Sequence, residues 1–362
     1  MASGKRYHHR VDLDQPSSPA TLADVARRAG VSLATASRAL NGSAGRQVGA
    51  LLLDRVRQAA IELDYSPNAQ AQAMARGTTA TLGLVVHDVA DPYFSTIASG
   101  VIEAAADRGL LVTVASTQRD PGAELRHVEL LRQARAQAVV LAGSRLDDPA
   151  KLDAMRSALR AFTRGGGRVA CIGQDVLGVS TVVVENRLGA AALAAALHRA
   201  GHRRFGVLAG PPGHLTARDR AEGFGYSLAD LGAEPSPEHV IASEFSRDGA
   251  YAATAALLER GRPALDCLFA VTDVMALGAL AALRDAGLRV PDDIGVAGFD
   301  DISSLRDVVP GLTTVRLPMV EMGAQVVGIA LDGDPGAVRR ARVRGEIVLR
   351  ESTRRTSAPV SW

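Results

Sequence analysis

The chain has 362 residues, room for two or three domains at roughly 100–200 residues each. Hydrophobic residues make up 47% and charged residues 22%, which excludes wholesale disorder. The 41 basic and 39 acidic residues give +2, which excludes a whole surface built to bind nucleic acid or membrane by charge. The average hides a bias: residues 1–80 hold ten Lys/Arg against six Asp/Glu, so the positive charge lies at one end. Lys5 and Lys151 are the only lysines, and neither lies in a GxxxxGK[ST] loop, so the phosphate-loop hydrolase reading falls away. Cys171 and Cys267 form no CxxC pair and sit in apolar runs, as buried thiols of a reduced cytoplasm do. No run is apolar enough for a signal region or a membrane span, so a soluble, cytoplasmic protein is expected.

Residues 1–20 read as a disordered tail; His8 and His9 have no further ligand spaced to make a metal site with them. From Thr21 the apolar residues recur at helical spacing. Leu22, Val25, Ala26 and Ala29 make one helix, Gly30 interrupts it, and Ser32 can cap a second helix through Leu40. Two short helices joined through Ala29-Gly30-Val31 form either a helix-turn-helix or a plain helical hairpin. In the first case Ser32, Thr35, Ser37 and Asn41 can donate to phosphates, and Arg38 can reach a guanine bidentately. A glycine-containing loop (42–49) precedes a third helix with Leu52, Val56, Ala59, Ala60 and Leu63 on its apolar face. Tyr65-Ser-Pro-Asn68 breaks the pattern, and 69–76 is again helical.

After residue 80, short apolar strands alternate with helix-length segments. The strands are expected at 81–86, 111–116, 138–143, 169–173, 205–210, 267–271 and 294–299. This alternation predicts an α/β body of doubly wound parallel sheets, and about 280 residues of it predicts two lobes with a cleft. The loops DPYF (91–94), GPPGHLTARDR (210–220) and GFDD (298–301) follow strands, where such sheets bind ligands. No GxSxG elbow, HExxH pair or dinucleotide loop is present, so no enzyme, cofactor or metal is expected.

The runs TLADVARRAGVSLATASRALNG, GHRRFGVLAGPP, ARDRAEGF, VTDVMALGAL, VPDDIGVAGFDD, LTTVRLP and IVLRESTR, in that order, closely resemble the lactose-repressor (LacI/GalR) family of bacterial transcription regulators. The resemblance extends from Thr21 to about residue 355. It implies a helix-turn-helix domain (21–65), a hinge helix and linker (66–80), a two-lobed, periplasmic-binding-protein-like effector and dimerisation core (81–355), and a short tail (356–362). It also implies a homodimeric repressor on a palindromic operator, tuned by a small-molecule effector, commonly a carbohydrate. The tail RRTSAPVSW has no leucine heptad, which argues against a tetramer.

Residue by residue, Thr21, Ser32, Thr35, Ser37 and Asn41 match positions that in the family face DNA. Leu33, Ala34 and Arg38 match its base-reading positions. Tyr65 and Asn68 match the start of the hinge, and Met74 stands where the family usually has a leucine that wedges into the minor groove. From Asn41 to Val56 the chain is two residues longer than usual, and Gly49-Ala-Leu-Leu replaces a serine-capped start, leaving a leucine hard to bury.

For the effector, Tyr93, Phe94 and Phe245 match aromatic positions, Thr216 and Arg220 polar ones, and Asp300 an acidic one. Thr272 replaces a frequent Asn, Gly173 a frequent Asp and Glu185 another Asp. An aromatic face with an Asp and an Arg suits a hydroxyl-rich ligand. Arg220 and Asp300 could equally be a structural ion pair. A solute receptor of a transporter, a nucleoside- or purine-responsive regulator and an α/β sugar-metabolising enzyme are the other readings.

Overall fold

The structure is a computed structural model and describes residues 20–41, 48–66, 77–261, 264–334 and 336–354, with the side chain of Asn41 left out. The chain divides into two compact units, Met1–Ala75 and Arg76–Trp362. The expectations for the tail, for Asn68 and for Met74 lie outside the described residues.

In the first unit, α1 spans Leu22–Ala29, α2 Leu33–Asn41 and α3 Ala50–Glu62. Thr21 starts α1 through a capping box: its hydroxyl accepts the Asp24 N–H, and the Asp24 carboxylate accepts the Thr21 N–H at 3.0 Å. Gly30 ends α1 in the left-handed region (φ 64°), where glycine has no Cβ to clash. Seven residues later the chain is already on the opposite side of a core made of Val25, Ala26, Ala29, Ala36, Ala39, Val56, Ala59 and Ala60, all buried. Alanine at these crossings lets three short helices approach closely. The Arg28–Glu62 pair (2.6 Å) ties α1 to α3, and the Arg55 guanidinium donates to the Ala29 carbonyl at the end of α1. Gly49 gives α3 no side-chain cap, and Leu51 is 83% exposed, the stranded leucine anticipated from the sequence.

In the second unit, the first lobe opens with β1 (Thr79–Val86), so Thr79 and Ala80 belong to a strand and not to the linker expected over 66–80. There follow α4 (Pro92–Ala106), β2 (Leu111–Ser116), α5 (Pro121–Gln133), β3 (Ala136–Ala142), α6 (Pro149–Arg164), β4 (Arg168–Gly173) and β5 (Ser180–Val184). Helices α4, α5 and α6 each begin Asp-Pro: Asp91, Asp120 and Asp148 accept first-turn N–H groups, while the proline needs no acceptor. The second lobe contains α7 (Asn186–Arg199), β6 (Phe205–Leu208), α8 (Leu215–Asp230), β7 (Val240–Ile241), α9 (Arg247–Glu259), β8 (Cys267–Ala270), α10 (Asp273–Asp285) and β9 (Gly295–Ala297). The chain then returns through β10 (Thr314–Arg316), α11 (Met319–Leu331), β11 (Arg340–Val343) and β12 (Glu346–Val348).

The first-lobe sheet has the order β11-β5-β4-β3-β1-β2 and the second β7-β6-β8-β9, with every pairing parallel. β10 and β12 pair antiparallel apart from both. Helices cover both faces, which is why β1, β3 and β4 are near-continuous buried runs. The small-residue composition has a specific use where α11 packs on α4. A Cβ on Gly100 would lie 2.0 Å from the Val320 carbonyl oxygen, and one on Gly323 would lie 2.3 Å from that of Ile97. Strands β5 and β11 were not expected from the sequence. β11 is an edge strand whose Arg340 and Arg342 face solvent, so its apolar signal is half diluted. Both cysteines are buried and free, and burial pushes the Cys171 thiol up to about 12. Among the described residues no helix is long and apolar enough to cross a membrane.

Candidate functional sites

The first candidate is the exposed start of α2. Ser32 caps it: its Oγ accepts the Thr35 N–H at 3.2 Å and lies 2.9 Å from the Thr35 hydroxyl. The N-terminal turn therefore points unpaired amides and two hydroxyls outward, with the positive end of the helix dipole behind them. Leu33 and Ala34 are exposed beside this cap, Leu33 by 54%, an odd place for a leucine unless something covers it. Arg38 lies one turn on and donates through Nε to the Ala34 carbonyl at 3.0 Å; among the described residues no carboxylate pairs with it. Ser37 is half-buried on the same helix. The Thr21 hydroxyl is engaged in its own cap, donating to Asp24 at 2.6 Å. Tyr65, matched to the hinge start, packs against the three-helix core.

The second candidate lies where strands of both lobes end. The structure brings all the expected cleft residues, Tyr93, Phe94, Thr216, Arg220, Phe245, Thr272 and Asp300, to one cavity enclosing about 600 Å³ of empty space. Tyr93 and Phe94 occupy the first turn of α4, edge to face at 5.0 Å. Arg220, on α8, is 2% exposed and uses its donors three ways: to Asn186 Oδ1 (2.8 Å), the Val271 carbonyl (2.7 Å) and Asp300 Oδ1 (2.8 Å). Its guanidinium also lies over the Phe299 ring at 3.8 Å. Asp300 stands at φ 121°, in the left-handed half of the map that favours glycine, and Asp301 after it at φ 58°. Backbone strain held in this way gathers at ligand sites. Burial pushes the Asp300 carboxyl up to about 7, against the pull of the Arg220 guanidinium. The ion-pair reading and the ligand reading thus describe the same two residues: the pair is structural and it walls the cavity.

Other residues complete the cleft. Asn186, His87, Asp91, Arg119 and His214 line it as well. Sequence reasoning picked Glu185 instead of Asn186. Glu185 faces outward to Arg342 and Arg344, at 3.6 and 2.8 Å, while Asn186 turns inward to Arg220. His87, at the end of β1, is held neutral because burial, then Arg145 and Arg119, pulls its pKa down to about 3. Gly143 ends β3 beside it; a Cβ there would lie 2.7 Å from the His87 ring. Thr272 spends its hydroxyl capping α10 and accepts the Met275 N–H at 3.3 Å. Thr216 accepts from the Gln174 amide at 2.7 Å, and its own N–H donates to the Ser144 hydroxyl.

That last pair crosses between the lobes, and more contacts follow it along the same edge. The Leu215 N–H donates to the Arg145 carbonyl (2.9 Å), the Asp147 N–H to that of Gly213 (2.8 Å), and Arg218 meets Asp147. The lobes are closed on this side, so a molecule in the cavity touches both. Among the described residues no group of three His, Cys, Asp or Glu side chains could hold a metal.

The family model for bacterial regulatory proteins of the lacI family matches residues 21–68, and the model for a periplasmic binding protein-like domain matches residues 194–353. The HTH-type transcriptional regulator GalR of Escherichia coli (strain K12) is 34% identical over 316 residues, covering 86% of this chain and 88% of GalR. The solved complex of the transcriptional regulator CelR with cellobiose is 30% identical with a TM-score of 0.67, over 92% of this chain and 99% of that one. The Lac repressor bound to ONPG is 27% identical with a TM-score of 0.79, over 92% of this chain and 100% of that one. With these similarities running through both units, the chain belongs to the LacI family of bacterial regulatory proteins and is a helix-turn-helix transcriptional regulator.

Proposed function

We propose that this regulator is a homodimeric repressor that reads a palindromic operator through α2 and is controlled by a neutral, hydroxyl-rich effector in the cleft. In this reading Thr21, Ser32, Thr35, Ser37 and Asn41 hold phosphates, and Leu33, Ala34 and Arg38 read base edges. Tyr65, Asn68 and Met74 serve the hinge, with Met74 as the apolar wedge of the minor groove. A repressor of chromosomal genes works where the DNA is, in the cytoplasm.

The observation that carries the effector reading is the buried Arg220–Asn186–Asp300 network opening on a cavity with Tyr93, Phe94 and Phe245 on its walls. The charged pair fixes neighbouring hydroxyls, and the rings cover the C–H faces between them. No charge is left over for an ionic ligand to neutralise, because Arg220 and Asp300 balance one another. A molecule that contacts both lobes shifts their equilibrium only as far as its affinities for the two arrangements differ. The test is operator titration with and without sugars that calorimetry shows to bind. Binding to operator that changes with a sugar, and stops changing in Asp300→Ala, supports the reading. A cleft variant that responds like wild type sinks it.

A further inference from the structure

Beside the cleft, on the α5–α6 side of the first-lobe sheet, lies a second chamber with about 850 Å³ of empty space. It shares His87, Arg119, Ser144 and His214 with the cleft, so these four residues form a neck between the two spaces. Nothing in the reading above uses this chamber. Its far wall is aliphatic: Leu125, Leu146, Leu152, Met155 and Leu177.

The polar groups of the chamber are already committed. Arg145 gives NH1 to both Glu124 oxygens, at 2.6 and 2.7 Å, deep in the wall. Asp120 accepts two N–H groups at the start of α5, Lys151 pairs with Asp148 at 3.1 Å, and the Thr117 hydroxyl accepts the Arg119 N–H. A group with several hydroxyls would therefore lose its water here and find few partners, which costs several kcal/mol on the usual scale. An apolar group would lose nothing.

The neck is the reverse. The Arg119 guanidinium makes no hydrogen bond among the described residues, and its nearest carboxylates, Asp88 and Asp91, lie at 3.6 and 3.9 Å. His214 Nδ1 is buried without any partner, an arrangement that native structures rarely leave unfilled. Gln118 and Arg119 hold this loop at φ 51° and 64°, both in the left-handed region. So the neck offers donors and an open ring nitrogen between a polar cleft and an apolar chamber.

We propose that the effector is a two-part molecule, a hydroxyl-rich ring in the cleft joined through an oxygen at the neck to an apolar substituent in the chamber, of the alkyl or aryl glycoside class. Arg119 and His214 meet the linking oxygen, and Leu125, Leu152 and Met155 cover the substituent. This rests on the hydroxyl-rich reading of the cleft, and the experiment separates the two.

Calorimetry on the full chain compares para-nitrophenyl glycosides of several sugars with the matching methyl glycosides. For the sugar that fits the cleft, the nitrophenyl compound is expected to bind at least about tenfold tighter, the gain of burying a ring's worth of apolar surface. Leu152→Trp fills the chamber and should erase that gain while leaving methyl glycoside binding within about twofold; Leu125→Trp fills it from α5 if the first variant does not fold. Equal binding of the two glycosides, or a gain that survives both tryptophans, overturns the chamber proposal and leaves the cleft reading standing. If no glycoside of either kind binds, the cleft reading falls and the chamber proposal with it.

Discussion

The start of α2 and the cleft solve the problem of presenting polar groups in opposite ways. On α2 the groups stand at the surface, and what positions them is local: a serine cap, a helix end and a left-handed glycine eleven residues before Asn41. Nothing there is buried except the alanines behind. In the cleft the groups come from residues as far apart as Asn186, Arg220 and Asp300, and each is positioned by bonding the next. Their burial makes them expensive to disturb. A change on α2 should therefore affect recognition and spare the fold, whereas a change in the cleft should affect both.

The largest expected effect follows from this. Arg220→Ala leaves Asp300 buried without its cation and Asn186 without its donor. Removing one partner of a buried pair costs about 3–5 kcal/mol, so chemical denaturation should show the core loosened by about that amount, with effector binding lost. A core as stable as wild type would mean that water or a neighbour already serves Asp300, and the contrast drawn here would be too sharp.

Arg38→Ala should behave in the opposite sense. The denaturation midpoint should not move, because the side chain gives up one exposed bond to the Ala34 carbonyl. Operator affinity should fall by about 1–3 kcal/mol at one base pair per half-site, with preference at that pair relaxed. Titration against single-base operator variants checks it. A uniform loss across all variants would make Arg38 a phosphate contact.

A smaller effect comes with pH. Burial raises the Asp300 carboxyl to about 7, with Arg220 pulling it down and Asp273 and Asp91 pushing it up. Ligand hydroxyls donate best to the carboxylate, so binding favours the deprotonated form and releases a proton. Effector affinity should thus rise between pH 6 and 7 by several-fold, up to about tenfold per unit, and level off above. In Asp300→Asn that slope should vanish. Calorimetry in buffers of different ionisation heat would reveal the proton; the same slope in both proteins would assign it elsewhere.

The two regions also differ in how far they could be read in advance. The helix-turn-helix was legible because every determinant lies within one turn or two: Thr21 with Asp24, Gly30 in the turn, alanines at helical spacing. The parallel sheets were legible from β1, β3 and β4, whose buried runs have no polar interruption. The cleft was legible only through its resemblance, since neither composition nor spacing says that Asn186 and not Glu185 turns inward. That choice is made by the first residue of α7 meeting a guanidinium 34 positions on. Likewise His87, Arg119 and His214 follow strands or precede α8 as isolated polar residues, and only the packed lobes show that they share a neck. Edge strand β11 was missed because half its side chains are arginines facing water.

The smallest effect tests the weakest point of the first unit, the start of α3. Gly49 holds φ −57° and ψ 143°, a conformation open to any residue, so a serine fits without strain. The Gly49 carbonyl already accepts from Leu52 and Leu53, but no side chain accepts from the first turn, and α3 has no acid there to meet its dipole. Gly49→Ser supplies an oxygen for one of those amides. Because glycine is itself a tolerable cap, the gain is only a few tenths of a kcal/mol. Hydrogen exchange at Leu51 and Leu52 should slow by less than about twofold. If the new hydroxyl also reaches a phosphate, operator affinity should rise more than this stability change can account for. Exchange that slows with no gain in operator affinity would separate the two roles and leave residue 49 a cap alone; exchange that does not slow would show that the carbonyl bonds already in place suffice for this helix.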